Sequence, residues 1–68
     1  MIEFKLTEEH ITLQNLLKAE NLVGSGGEAK YIISDGHVKV NGEIETRRGK
    51  KLRLGDVAEF NGEKVLVK

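Results

Sequence analysis

Ser25, Ser34, Asp35, His37 and Asp56 are the side chains from which a hydrolytic site in this chain would have to be assembled. A serine–histidine–aspartate triad can be drawn from them on paper. Such a site is defined by geometry and needs a carboxylate buried deeply enough to orient the imidazole. A chain of 68 residues buries only about 60% of the surface its unfolded form exposes and has little core in which to build one. Metal chemistry has less support. There is no cysteine, and the only histidines, His10 and His37, do not supply the three or four convergent ligands of a zinc site. His10, beside Glu8 and Glu9, is expected to be solvated. The residues point to no catalysis, no cofactor and no bound metal.

Phosphate recognition is the chemistry that two other stretches allow. "GSGG" at 24–27 lacks the G-x-x-x-x-G-K-[ST] spacing and follows a helical pattern, where a nucleotide loop needs a strand. It is not a nucleotide loop. If Ser25, Gly26 and Gly27 open a helix, their backbone N–H groups face solvent and suit a phosphate oxygen; a tight turn between two helices is the plain alternative, and both stay open. "ETRRGKKLRLGD" at 45–56 places five of the chain's 11 cations, Arg47, Arg48, Lys50, Lys51 and Arg53, within seven positions. The total charge is zero, yet residues 1–34 carry three cations against five acids and residues 35–68 eight against six. Local potential governs phosphate binding, so a neutral protein can present a basic face. The bland alternative is a solvated loop.

The elements that must hold these residues are legible in the hydrophobic period. "IEFKL" at 2–6 alternates Ile2, Phe4 and Leu6 with Glu3 and Lys5, the pattern of a half-buried strand. Leu13, Leu16 and Leu17 form one helical stripe over about 12–20, with Thr7 or Thr12 as the cap. A second helix is expected over 26–34. Ser25 and Glu28 have capping-box spacing, Ala29, Ile32 and Ile33 repeat the stripe, and Gly36 provides the stop. Tyr31, the only Tyr or Trp, falls beside that stripe and is expected to be partly exposed.

After Gly36 the period becomes two, with turn pairs Asn41-Gly42 and Asn61-Gly62 marking two hairpins. In "KKLRL", an extended chain would drop Leu52 and Leu54 into the core and hold Lys51 and Arg53 outward. The architecture expected is α+β: one domain over 1–68 with two short helices packed on a small, mainly antiparallel sheet. No apolar run approaches a membrane span and Met1-Ile2-Glu3 opens no signal-peptide pattern, so a cytoplasmic protein with no membrane partner is expected.

Ser25, Ala29, Lys30, Ile33, Gly36, Val38, Val40, Asn41, Gly42, Gly55 and Asp56 together resemble the alpha-L RNA-binding motif, the domain named after ribosomal small-subunit protein four. That family reads S-R-x-x-A-[RK]-x-x-I-x-x-G-x-V-x-V-N-G, with a later G-D before a hydrophobic strand. The match covers about residues 12–60, and the added strand at 2–6 with "SGGEAK" looks most like the small stand-alone YaaA-like group. The resemblance implies a non-catalytic module for structured RNA, ribosomal or transfer RNA, with Lys30, His37 and Lys39 at matching positions and Arg47–Arg53 in the family's often basic connection. His37 would stack on or hydrogen-bond to a base, or simply edge a strand. Two positions depart from the pattern: Gly26 and Thr12 stand where arginine is usual. The rival readings are a protein-interaction domain and a relative of the ubiquitin-like sulfur carriers, which share V-N-G-E and G-D but need a C-terminal Gly-Gly where this chain has Val67-Lys68. Oligomeric state is not encoded in any of these features.

Overall fold

Both helices start and stop on local chemistry. In the computed structural model, which describes all 68 residues, α1 spans Leu13–Ala19 and α2 spans Gly26–Ser34. Thr12, not Thr7, caps α1, its hydroxyl accepting the Asn15 N–H at 3.3 Å. Ser25 caps α2 by accepting the Glu28 N–H at 3.1 Å. The Glu28 carboxylate reaches past Ser25 and takes the Gly24 N–H at 3.1 Å, so the capping box is shifted by one residue. Gly36, at φ 83°, ends α2 as expected: its N–H bonds Ile33 O and the His37 N–H bonds Ile32 O. The same pair of bonds closes α1, where Asn21 at φ 57° takes the left-handed position and Leu22 N–H bonds Leu17 O.

The strands are β1 (Ile2–Phe4), β2 (Ile11–Thr12), β3 (Val38–Val40), β4 (Glu43–Ile44), β5 (Lys51–Leu52), β6 (Val57–Phe60) and β7 (Glu63–Val67). Five of them form one sheet in the order β1-β7-β6-β3-β4, and β2 pairs with β5 apart from it. Asn41-Gly42 and Asn61-Gly62 turn the β3–β4 and β6–β7 hairpins, all four residues at positive φ as a tight two-residue turn demands. β1 joins through a parallel pairing with β7, Ile2 opposite Val65 and Phe4 opposite Val67. It is shorter than its 2–6 alternation, but Leu6 N–H still bonds Lys68 O at 2.8 Å.

One cluster of 12 buried residues joins the layers. The helices contribute Leu13, Leu16, Leu17, Ala29 and Ile33, and the sheet Val38, Val40, Ala58, Val65 and Val67. Because side chains alternate along strands, the face away from the helices carries Lys39, Glu59 and Lys64, which lie opposite one another across β3, β6 and β7. No helix is long and apolar enough to cross a membrane.

Leu54 departs from expectation. Leu52 is fully buried, but Leu54 is 69% exposed. β5 ends after two residues, and the chain turns back at 53–56, with Asp56 N–H bonding Arg53 O at 3.0 Å and Gly55 at φ 92°. The alternation that would have buried Leu54 stops at Leu52, two residues short of it.

Candidate nucleic-acid interface

The basic connection between β4 and β6 is held by backbone bonds that its residue types do not announce. The first N–H groups of a helix have no partner inside it. In α1, Leu13 N–H bonds the carbonyl of Lys50 at 2.8 Å and Gln14 N–H that of Arg48 at 3.1 Å. β5 adds its ladder to β2, Leu52 opposite Ile11 and Lys51 opposite Thr12. At the far end, the Asp56 carboxylate accepts Arg53 N–H at 2.8 Å and the Asn41 side-chain amide at 3.0 Å. Asn41 returns its carbonyl to Val57 N–H at 2.9 Å. These bonds hold the Asp56 carboxyl below its ordinary range, the Arg53 N–H most, then Asn41, with help from the Lys50 and Arg53 charges. Asn41 and Asp56, distant in sequence, thus act as one clasp. The stretch is a fixed surface.

Its five cations are not equivalent. Arg47 grips Glu45 through two guanidinium bonds, 2.9 and 3.1 Å, and a backbone N–H at 3.0 Å. The Glu45 side chain is only 12% exposed. Arg47's hydrogen bonds bring its carboxyl down to about 2, against some opposition from burial, and Arg47 in turn is pushed up. Arg53 leans on Glu9 at 3.4 Å, both side chains well exposed. Arg48, Lys50 and Lys51 have no carboxylate within ion-pair distance. A shallow concavity lined by Arg47, Gly49, Lys50, Lys51 and Arg53 contains no apolar side chain.

Gln14 links this surface to the start of α2. A Cβ built on Gly26 would lie 3.2 Å from Gln14 Nε2 and 4.0 Å from Lys18 Nζ. Gly26 therefore lets two α1 side chains come over the first turn of α2, and one of them brings a cation to the place where the family's arginine is absent. Lys18 was not among the residues singled out from sequence. Its signal was there: it follows Gln14 by four residues, on the flank of the leucine stripe. Ser25 is committed to its cap, Gly26 and Gly27 open α2, and Lys30 is exposed one turn on.

The remaining candidates lie elsewhere. Lys39 sits between the buried Val38 and Val40 and so projects from the sheet's outer face, opposite Glu59. His37 is exposed at the α2–β3 turn. Three of the five groups of the paper triad are locally occupied: Ser25 Oγ by Glu28 N–H, Ser34 Oγ by Tyr31 O, and Asp56 in the clasp. No three histidine or carboxylate side chains converge.

Known proteins share this fold. A structure of YbcJ from Escherichia coli, described as revealing an alpha-L motif involved in RNA-binding, superimposes with a TM-score of 0.75 at 41% identity, covering 98% of this chain and 86% of that one. In sequence, YbcJ is 43% identical over 58 residues, 85% of this chain and 83% of its own. A Bacillus subtilis relative named "Probable ribosome maturation protein RlbA" is 48% identical over 54 residues, 79% of this chain and 76% of its own. The 30S ribosomal protein S4e of Thermoplasma acidophilum contains a similar unit, with TM-score 0.63 and 27% identity over 85% of this chain and 31% of that one. The family model described as the S4 domain matches residues 4–68. The family model spans nearly the whole chain and the YbcJ structure shares its two helices on a mainly antiparallel sheet, and the chain belongs to the S4 domain family.

Proposed function

We propose that this chain is a non-catalytic module that binds structured RNA, ribosomal RNA foremost, through the face made by the 45–53 connection, the flank of α1 and the start of α2. The observation that carries the reading is the fixing of Arg48, Lys50 and Lys51 against the N-terminus of α1, without acidic partners. A backbone already fixed need not be ordered when its cations meet a phosphate backbone, whereas a loose loop must be ordered first. The S4 relatives whose names speak of RNA binding and ribosome maturation support the same class of ligand.

The test is salt-dependent binding to purified ribosomal RNA. Each phosphate neutralised contributes about −0.7 to −0.9 to the slope of log affinity against log salt. Replacing Arg48, Lys50 and Lys51 together by alanine should flatten the slope by roughly 2 to 3 units. Circular dichroism should remain unchanged, since the anchors are backbone bonds and Leu52. A folded triple variant with undiminished affinity and slope would return the stretch to a solvated loop.

A further inference from the structure

Tyr31 is 69% exposed, whereas the two phenylalanines, Phe4 and Phe60, pack against the core. The other large exposed apolar residues, Met1, Ile44 and Leu54, are not aromatic. Tyr31 lies on α2 directly after Lys30, an exposed cation without a carboxylate partner. Long helical side chains lean toward the helix N-terminus, over the residue four positions earlier. That residue here is Gly27, where a Cβ would meet only Ser25 Oγ at 3.9 Å. Gly27 thus leaves the i−4 side of the ring open, and Glu28 at i−3 turns its carboxylate back to the Gly24 N–H, which leaves room for a flat group to lie against the ring. An aromatic face accepts any nucleobase that is not already stacked in a duplex, and an adjacent lysine can reach the phosphate of the same nucleotide.

We propose that Tyr31 is a stacking platform for one unpaired base, and that the RNA bound by this chain presents a bulged or looped-out nucleotide beside the duplex phosphates held by the basic connection. The proposal rests on the RNA-binding reading above and narrows it: the ligand is a duplex with a defect. Lys30 and the unobstructed turn at Gly27 flank the ring on the open surface of α2. Ile44, exposed next to Gly36 on the way to the outer sheet face, has no part in it.

Because Tyr31 is the only Tyr or Trp, intrinsic fluorescence reports on this position alone. The full chain is titrated at low salt with an RNA hairpin carrying a single-adenosine bulge and with the same hairpin lacking the bulge. The bulged hairpin should quench the tyrosine and bind more tightly; the perfect hairpin should bind through the cations and leave the emission nearly unchanged. Tyr31→Phe should keep the affinity for the bulged hairpin within about twofold, while Tyr31→Ala and Tyr31→Leu lose roughly 5- to 150-fold, the range that base–aromatic stacking supplies. The leucine variant separates stacking from plain apolar contact, and circular dichroism checks that α2 persists. Equal binding by Tyr31→Ala, or binding of the bulged hairpin with no quenching, overturns the platform while leaving the RNA reading intact. Failure of the native chain to bind either hairpin or ribosomal RNA overturns both.

Discussion

Asn41 and Asn61 are a natural control at the scale of single residues. Both stand at φ 53° before a glycine in the same kind of turn. Only Asn41 sends its side chain into a clasp, giving one bond to Asp56 and accepting one from Val57. Glycine tolerates the left-handed backbone, so Asn→Gly removes the side chain without adding strain. Asn61→Gly should be nearly neutral, within about 0.5 kcal/mol, whereas Asn41→Gly should cost about 1–2 kcal/mol for two lost hydrogen bonds. Urea unfolding of the two variants decides it, and equal costs would mean that the clasp adds no stability. Glu45 makes the complementary statement about pH. Its carboxyl titrates at about 2 in the folded chain rather than at the ordinary 4.5. A folded pKa below the unfolded one contributes stability that is complete above the unfolded value and is lost as pH falls toward the folded one. The Glu45 contribution should therefore decline between about pH 4.5 and pH 2. Asp56, lowered by its own hydrogen bonds, acts in the same direction. Urea midpoints taken from pH 5 downward should fall less steeply for Glu45→Gln than for the native chain.

Elements explain why a two-residue strand matters. β5 has Lys51 and Leu52 only, yet it ties the basic connection to β2 and, through the carbonyls of Arg48 and Lys50, to α1. Leu52, wholly buried, is its one side-chain anchor. Leu52→Ala should cost about 2–5 kcal/mol, a large share of a small domain's stability, while exposed Leu54→Ala stays within about 0.5 kcal/mol. Thermal unfolding of the pair checks this, and similar losses would put Leu54 back in the core. The contrast also marks what was legible in the sequence. The span of α2, its Ser25 cap, its Gly36 stop and both Asn-Gly hairpins follow from signals three or four residues apart, and each is where the pattern put it. Leu54 was misplaced because alternation says which face a residue takes, not where the strand stops. The docking of 48–52 onto 11–14 left no mark, because it uses carbonyls and N–H groups that nearly every residue owns. Lys18 was passed over because only the neighbouring helix gives it a purpose.

At the scale of the molecule, a chain of zero net charge must concentrate its positive potential on one side if it is to hold a polyanion. On the helix side, Arg48, Lys50, Lys51, Lys18 and Lys30 have no acidic partner within ion-pair distance. On the sheet's outer face, Lys39 and Lys64, which also form no ion pair, flank the single Glu59 across neighbouring strands, and that carboxylate offsets one of their two charges. The resemblance groups Lys39 with Lys30, yet the fold puts Lys39 on the outer face of the sheet, opposite Glu59. An RNA bound on one face should therefore distinguish lysines that composition treats alike. Lys18→Ala and Lys30→Ala should each reduce the salt slope by about 0.7 to 0.9, as the loss of one phosphate contact requires, and weaken binding at every salt concentration. Lys39→Ala and Lys64→Ala should leave slope and affinity almost unchanged. All four side chains are exposed, so stability should vary little among the variants and differences in binding can be read directly. The measurement is the affinity of each variant for ribosomal RNA across a salt series. An effect of Lys39→Ala as large as that of Lys30→Ala would mean that the RNA wraps the sheet edge and meets both faces, which a one-sided interface does not allow.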